Sequence, residues 1–451
     1  MKIEIKTNDE RLITPSGLTI VGGIIGKSEF IKRINVATQT EKRSQPQIKS
    51  GDVLLSYIGL LCCGKTEFEA VKEMEEDAEF YKLALGLSKA VPSCETLRQR
   101  MDELGDTIRS EILNANVSML TSHGIEPSAL GNGYVPLDID VTPFDNSKTS
   151  KEGVSRTYKG YDGYAPMMAY IGSEGYLANC ELREGSQHCQ KHTPEFLRET
   201  LRLSHQLTES PLLIRLDSGN DAAENLGILI EDGSWFITKR NLRRTESREE
   251  WLCNAQSWCK DIREPREGKT VYVGSSWKDV TYLGGDGTKK TICMRICYEV
   301  IERTIDKHGQ ILLAPDIEVN TWWTNLGLPD DDIIELYHAH GESEQYHSEI
   351  KTDMDVERLP SGKFDTNKLV MVLVILAYNI LRIIGQASLN GGRSPKTKRE
   401  INRRRLRTVI NNLILIAGHI TKHARAVFLS LGRSNIWRFA FFDIFHRFAK
   451  T

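Results

Sequence analysis

Two short apolar segments, each closed by an aspartate, constrain the fold of this chain more than any other feature. Residues 135–142 read Val-Pro-Leu-Asp-Ile-Asp-Val-Thr, and residues 212–217 read Leu-Leu-Ile-Arg-Leu-Asp. Apolar runs of this length are typical of buried strands, and the end of a strand is where a side chain leaves the core and reaches a cleft. A single such aspartate usually only caps a turn. The pair therefore predicts an α/β core with carboxylates at one edge, and it does not assign a function.

The alternation of strand-like and helix-like segments predicts an α/β fold with a mixed sheet. A Gly-Gly-Asp-Gly turn at 284–287 lies between hairpin-like segments and indicates an insertion. Ser93 is placed to cap a helix, and the helix pair around it could contact DNA or belong to a plain bundle. The predicted regions are an N-terminal helical domain (1–128), the first part of the core (129–239), an inserted β subdomain (240–310), the second part of the core (311–390) and a basic helical tail (391–451).

The last of these regions is strongly basic, although the whole chain carries a net charge of only −2. Residues 391–451 contain 14 Lys and Arg against two acids, so the remainder of the chain is acidic. A basic segment on an acidic protein predicts contact with a polyanion. A dimerisation helix with a solvated basic edge is the alternative. The residues that we expect to contact DNA in this region are Arg403, Arg404, Arg405 and Arg407.

Cysteine usage and hydropathy indicate a cytoplasmic protein. The nine cysteines are irregularly spaced, which favours free thiols in a reducing compartment, and their spacing is not typical of structural zinc. The first residues lack the apolar core of a signal peptide. The longest apolar run, 369–384, is short for a membrane span and contains Asn379 and Arg382. We therefore expect a buried helix at 369–384 and no membrane partner.

A third carboxylate lies on a predicted helix of unusual composition. Within residues 332–355, Tyr337 is followed three positions on by His340, four further by Glu344 and seven further by Lys351. At helical periodicity these side chains fall along one face. A carboxylate with cationic neighbours suits a metal ion beside a phosphate backbone. An exposed charged helix would have no need of the tyrosine, so we interpret this face as one wall of a cleft.

Three carboxylates from two strand ends and a helix can hold a pair of Mg²⁺ ions, because such ions prefer hard oxygen ligands. The candidates are Asp140, Asp217 and Glu344. Asp138 shares a strand face with Asp140 and is an alternative to it. We favour Asp140 because it lies nearer the end of the strand.

A competing motif lies in the N-terminal region. Residues 59–66 read Gly-Leu-Leu-Cys-Cys-Gly-Lys-Thr, which matches the P-loop pattern of nucleotide-binding proteins, and the strand before Asp217 could serve as its acidic partner. A P-loop must wrap its backbone N–H groups around phosphates, which small residues allow. Here the loop is bulky and apolar, and Gly64 is a natural helix C-cap. A P-loop NTPase is therefore the second hypothesis.

The Tyr-x2-His-x3-Glu-x6-Lys spacing resembles the Tyr-x2-Arg-x3-Glu-x6-Lys signature of bacterial insertion-sequence transposases of the DDE type. Residues 137–142 resemble the first-aspartate strand of that family, and residues 215–219 resemble the second. Segments 182–188 and 359–367 are similar to parts of one subgroup. The likeness covers about residues 10–430. One departure is that His340 stands where the signature has Arg, and His is a weaker and titratable phosphate ligand.

The resemblance implies an RNase H-like catalytic core with a β insertion between the second aspartate and the glutamate. It implies that Asp140, Asp217 and Glu344 hold two Mg²⁺ ions, for which Mn²⁺ would substitute. The same site would cleave the ends of an insertion sequence and then join the 3′-OH ends to target DNA. A catalytically decayed relative that only binds DNA is a third hypothesis.

The resemblance also implies the partners of the protein. These are double-stranded DNA, as the terminal inverted repeats of its own element and as target DNA, and a second copy of the chain in a homodimeric synaptic complex, associated with the bacterial nucleoid. An indole could stack on an unpaired base near the cut, although one member of a tandem Trp pair usually lies in the core. The residues expected to contact DNA, beside the basic tail, are Tyr337, His340, Lys351 and either Trp322 or Trp323.

Overall fold

The N-terminal region is largely helical, as the sequence predicts. Its elements are β1 (Leu12–Ile13), α1 (Leu18–Gly26), α2 (Phe30–Ala37), α3 (Ser50–Cys62), α4 (Lys72–Glu75), α5 (Ala78–Leu85), α6 (Cys94–Leu104) and α7 (Arg109–Ser122). Every residue of α3 is buried. Ser93 caps α6 as predicted, because its hydroxyl accepts a hydrogen bond from the Thr96 backbone N–H at 3.2 Å. The computed structural model describes residues 3, 5, 9–39, 47–259, 261–397, 399–424 and 426–449.

The next region forms the mixed sheet that positions the predicted site. Its elements are β2 (Val135–Val141), β3 (Phe144–Asp145), β4 (Ser155–Arg156), β5 (Asp162–Tyr164), β6 (Met167–Ile171), β7 (Tyr176–Glu181), α8 (Thr193–Ser204), β8 (Leu212–Leu216), α9 (Ala223–Asp232) and β9 (Trp235–Arg240). Strands β2, β6 and β7 form an antiparallel meander, whereas β8 and β9 run parallel to β2. Because β2 and β8 are parallel neighbours, their carboxyl ends meet at one edge. That edge therefore carries both Asp140 and Asp217.

The insertion extends this sheet instead of forming a separate layer. Its elements are α10 (Arg248–Trp258), β10 (Asp261–Arg266), β11 (Lys269–Leu283), β12 (Lys289–Ile305) and β13 (Ile311–Thr324). The strand order is β10-β11-β12-β13-β9-β8-β2-β6-β7. The long strand β13 pairs with β12 and, at its carboxyl end, with β9. The β subdomain expected at 240–310 thus includes a helix and shares its last strand with the core.

A pair of short helices and one long helix follow the insertion. They are α11 (Asp330–His338), α12 (Ser343–Ser348) and α13 (Phe364–Asn390). A 3₁₀ turn joins α11 to α12, and a π-helical turn, Glu349–Asp353, follows α12. In the described part of the chain, α13 alone is long and apolar enough to cross a membrane, and 94% of its apolar window is buried inside the fold. The buried helix predicted at 369–384 is confirmed.

The buried polar residues of α13 all have partners. Asn379 donates to Asn116 Oδ1 at 2.8 Å and accepts from the Leu177 backbone N–H at 2.8 Å. Arg382 pairs with Glu349 and donates to the Tyr378 hydroxyl at 2.7 Å. These bonds explain how two strongly polar side chains are accommodated in a helix that is otherwise a core element.

The C-terminal region differs from the helical tail that the sequence predicts. It contains α14 (Leu406–Val409), β14 (Gly418–His423), β15 (Ala426–Leu431) and α15 (Arg438–Phe448). The two strands form a hairpin that pairs with β1 near the start of the chain. Core residues extend from Ile13 to Phe448 in one continuous cluster. The region is therefore built into the core and is not an extended tail.

Candidate active site

The two aspartates of β2 have different environments. Asp138 accepts hydrogen bonds from Arg215 Nε and Nη2 at 2.5 and 2.7 Å, and its side chain is 6% exposed. This pairing follows from the sheet register, which places Asp138 opposite Arg215. Burial alone would raise the pKa of Asp138, but the charges of Arg215 and His340 outweigh it and lower the pKa. The negative charge of Asp138 is thus compensated by Arg215 inside the protein.

Asp140 lies two residues after Asp138 on the same face of β2 and is less buried than Asp138. Its Oδ1 accepts the Val141 backbone N–H at 2.7 Å, and its Oδ2 lies 3.3 Å from His347 Nε2. Its side chain is 23% exposed. Burial raises the pKa of Asp140, but the contact with His347 outweighs burial and lowers it. No arginine or lysine forms an ion pair with Asp140 among the described residues, so its oxygens retain free lone pairs.

Asp217 lies directly after β8 and faces Asp140. Its Oδ1 accepts the Gly219 backbone N–H at 2.9 Å and Asn220 Nδ2 at 3.1 Å, which fixes the carboxylate. Burial, and then the negative charge of Asp140, raise the pKa of Asp217 above its usual range. The two carboxylates therefore repel each other electrostatically, and a bound cation would relieve this repulsion.

The helix that carries Glu344 is attached to β2 at several points. His340 Nδ1 lies 3.1 Å from Asp138 Oδ1, His347 contacts Asp140, and Lys351 Nζ donates to the Pro143 carbonyl at 2.6 Å. Of these three residues, His340 and Lys351 belong to the predicted helix face, and His347 was not part of it. Glu344 lies among them and is itself exposed. The helix that carries Glu344 is therefore anchored beside the end of β2.

Tyr158, which the sequence analysis missed, lies at the end of β2, within electrostatic reach of the three acids. Its hydroxyl donates to the Val141 carbonyl at 3.3 Å, although 67% of the residue is exposed. Partial burial of the hydroxyl, followed by the charges of Asp140, Asp217 and Glu344, raises the pKa of Tyr158 to about 12. No motif marks this tyrosine, because it lies in a short loop far from all three acids in sequence.

The three carboxylates are chemically suitable ligands for a divalent cation, but they are too far apart to coordinate one as they are placed. Asp140, Asp217 and Glu344 offer only carboxylate oxygens, which Mg²⁺ and Mn²⁺ prefer. Within the ranges that the structure describes, no three His, Cys, Asp or Glu side chains stand close enough together to hold an ion as they are placed. The side chain with most freedom to complete such a set is Glu344, since it is exposed and the aspartates are fixed by hydrogen bonds.

The remaining members of the predicted helix face are more buried than expected. His340 is 8% exposed; burial would lower its pKa, but Asp138 outweighs burial and raises it. The Tyr337 ring packs 5.6 Å from the Trp322 ring, and burial followed by Asp217 and Asp140 raises the pKa of Tyr337. At the position where the resembling signature has Arg, this chain therefore has a buried histidine that contacts Asp138.

The expected role of Trp322 or Trp323 in base stacking is wrong for this structure. Trp322 is fully buried, and Trp323 is 3% exposed. The Trp323 indole N–H donates to Asp221 at 3.0 Å, and the Arg240 guanidinium lies over its ring at 5.2 Å. Neither ring has a face that a base could reach. Both indoles are core members because the carboxyl end of β13 lies inside the sheet.

The basic run at 403–407 is mostly engaged inside the protein. Arg404 is 4% exposed and bonds Ser388 and Ser394, so the structure contradicts its assignment to DNA. Arg403 donates to Glu349 and Gln345, both at 2.8 Å.

Arg405 and Arg407 both pair with Asp353, whose side chain is fully buried, and they keep 54% and 58% of their own side chains exposed. Only these two of the four arginines present substantial surface. The run holds the π-helical turn that follows the Glu344 helix.

The P-loop interpretation is contradicted by the local structure. Gly59 and the three residues after it are the last turn of α3, where the backbone groups are used in helical hydrogen bonds. Gly64, with φ of +71°, follows the C-cap residue Cys63 and ends that helix in the left-handed conformation. Thr66 donates to the Asp355 carbonyl at 3.1 Å. No ring of free N–H groups is available for a phosphate at this segment.

We therefore expect the wild-type protein and Lys65→Ala to bind no ATP, as measured with a fluorescent ATP analogue. The substitution removes only an ion pair with Glu73 whose side chains are 36% and 60% exposed. Such surface pairs contribute about 0–1 kcal/mol, so the denaturation midpoint should change little. Saturable ATP binding that is lost in Lys65→Ala would contradict our interpretation.

Similarity to known proteins extends over the whole chain. Residues 1–451 match the family described as transposase DDE domain, group 1. No curated protein matches the chain. Among solved structures, the chain is similar to the piggyBac transposase in the cryo-EM structure of its synaptic complex with hairpin DNA. The identity is 11%, the TM-score is 0.42, and the match covers 89% of this chain and 80% of that chain.

Proposed function

Since this chain belongs to the transposase DDE domain group 1 family, it is a DNA transposase, and we propose that it works by a cut-and-paste reaction. In this proposal it cleaves the ends of an insertion sequence and joins the freed 3′-OH ends to target DNA. The observation that carries the proposal is the edge where β2 and β8 end, at which Asp140 and Asp217 face each other. The charges of both, and of Glu344, act on the Tyr158 hydroxyl.

We propose Asp140, Asp217 and Glu344 as the catalytic carboxylates. Asp140 is favoured over Asp138 because Asp138 is already neutralised by Arg215, and a carboxylate in a buried ion pair has little capacity to bind a further cation. Glu344 is favoured over Glu349, the next glutamate along the chain, because Glu349 is buried between Arg382 and Arg403.

Transposases of this family generally use a divalent metal, and we propose two Mg²⁺ ions, with Mn²⁺ as a substitute, held by the same three carboxylates. When bound, such ions supply Lewis acidity at the scissile phosphate. The chain itself supports the carboxylates: Gly219 and Asn220 fix Asp217, and His340, His347 and Lys351 fix the helix of Glu344.

The substrate is DNA, and we choose the proposed contacts among basic side chains that are exposed or lie near the site. Arg405 and Arg407 are the members of the basic run with surface to offer to phosphates. Lys351 donates to the Pro143 carbonyl just after β2, and burial lowers its pKa. We propose that Lys351 and Tyr337 act close to the cut, and that the inverted repeats and the target are brought together by a homodimer.

We also propose that the sheet is an RNase H-like core. The order supports this proposal: an antiparallel meander, β2-β6-β7, is followed by two strands parallel to β2, namely β8 and β9. The insertion lies between Asp217 and Glu344, as the resemblance implies.

The test is cleavage of end-labelled DNA that carries the sequences flanking the gene. We expect nicks at the element ends, followed by joining to a target plasmid, in Mg²⁺ or Mn²⁺, and no product in a chelator. Without the metal, the negative charges of the three carboxylates are no longer compensated, so cleavage should stop. Because the protein itself is unchanged, activity should return when metal is restored. Binding of these DNA ends without cleavage under any metal condition would favour the decayed, non-catalytic relative and would overturn the proposal.

A further inference from the structure

His347 has a set of contacts that the proposed function does not use. It lies on α12, three residues after Glu344, and is 5% exposed. Its Nδ1 is 3.0 Å from the Tyr170 hydroxyl, and its Nε2 is 3.3 Å from Asp140 Oδ2. The imidazole therefore bridges a buried tyrosine of β6 and the first carboxylate of the site.

The protonation state of Tyr170 determines which atom donates in each hydrogen bond of this bridge. Burial raises the pKa of Tyr170 well above its usual value, so the phenol remains protonated and acts as a donor. Its other neighbour is the Met168 sulfur at 3.1 Å, which is a weak acceptor. The hydroxyl therefore donates to His347 Nδ1. An imidazole that accepts at Nδ1 carries its proton on Nε2 and donates it to Asp140.

Asp140 is thereby held through both oxygens. Oδ1 accepts the Val141 backbone N–H and Oδ2 accepts the His347 ring N–H. Two hydrogen bonds fix the plane of the carboxylate, and each oxygen keeps a lone pair that these bonds do not use. Histidine and carboxylate partners of this kind orient metal ligands in proteins, and their loss usually lowers metal affinity about 10–100-fold.

The tyrosine end of the bridge is rigid. The Tyr170 ring lies 5.0 Å from the Tyr346 ring and 6.1 Å from the Tyr378 ring. The bridge also couples two ligands, because the helix that carries His347 carries Glu344. The His347 contact thus contributes both to the orientation of Asp140 and to the attachment of the Glu344 helix to β2.

We propose that Tyr170 and His347 form a hydrogen-bonded relay that positions Asp140 for a divalent cation. Both are positioning residues, since they act through Asp140 and touch no reacting atom. The inference rests on the proposed function, because it assumes that Asp140 is a metal ligand.

The experiment measures Mn²⁺ binding to the full chain by electron paramagnetic resonance of the free ion, which needs no catalysis. We expect His347→Phe to weaken Asp140-dependent binding about 10–100-fold, His347→Gln, which keeps an N–H donor, to weaken it less, and Tyr170→Phe to weaken it several-fold. Tyr346→Phe is the matched control. It removes a phenol of the same cluster that donates to the Ser173 carbonyl and not to His347, so its affinity should equal that of wild type.

Two failures remain distinguishable. If wild type and Asp140→Ala bind Mn²⁺ equally, the metal assignment fails, and the relay fails with it. If Asp140→Ala loses binding while His347→Phe and Tyr170→Phe bind as wild type does, the relay alone is overturned. Denaturation midpoints identify any variant that fails to fold, and Tyr170→Phe, which keeps the ring, keeps the test decisive if His347→Phe unfolds.

Discussion

Replacement of Asp140, Asp217 or Glu344 by alanine should abolish end cleavage, with a loss of well over 100-fold for each. The reason is that a direct ligand contributes more than the residues that orient it, whose loss costs about 10–100-fold. The three variants should fold normally, since Glu344 is exposed and, among the described residues, none of the three acids pairs with a Lys or Arg. The measurement is the initial rate of nicking on labelled element ends in Mg²⁺.

The matched control is Glu342→Ala. Glu342 is an exposed glutamate two residues before Glu344, and at helical spacing it points away from the face that meets β2. Its loss should leave the rate within a few-fold of wild type. A Glu344→Ala variant as active as Glu342→Ala would remove Glu344 from the site and would leave only the two aspartates.

Asp138→Ala should instead damage stability. The substitution leaves the Arg215 guanidinium, which is 3% exposed, without its carboxylate, and loss of one partner of a buried ion pair costs about 3–5 kcal/mol. The denaturant midpoint should fall accordingly, as followed by circular dichroism. In Asp140→Ala the midpoint should change much less, because no Lys or Arg in the described residues pairs with Asp140.

The double variant Asp138→Ala/Arg215→Met is the control for this explanation. Removal of both charges eliminates the unpaired guanidinium, so most of the lost stability should return. If Asp138→Ala is as stable as wild type but inactive, then Asp138 is the catalytic carboxylate and our choice between the two aspartates is wrong.

The central elements of the fold could be predicted because their sequences contain local signals. The strands before Asp140 and Asp217 are short apolar runs, and α13 is a long apolar helix whose polar residues, Asn379 and Arg382, mark it as buried and not membrane-spanning. Helical spacing also predicted that His340 and Lys351 share one face, and they contact Asp138 and the Pro143 carbonyl. The position of Glu344 relative to the aspartates stays a prediction.

Other features depend on partners that are distant in sequence. Tyr158 acquires its position only when the loop after β4 folds over the end of β2. Arg403 and Arg404 were expected at the surface because a basic run has no visible partners in sequence. Their partners, Glu349 and Ser388, belong to other elements. The same limitation explains Trp322 and Trp323, since the burial of β13 depends on which strands flank it.

The π-helical turn Glu349–Asp353 has a consequence for the order in which the protein becomes functional. This turn follows the Glu344 helix directly and is held by Arg403, Arg405 and Arg407. During synthesis the ribosome delivers Glu344 well before it delivers these arginines. A nascent chain therefore contains all three acids before it contains the arginines that hold the π-helical turn after the third. In a chain that stops before these arginines, Glu349 would lack one of its two arginine partners and Asp353 would lack both.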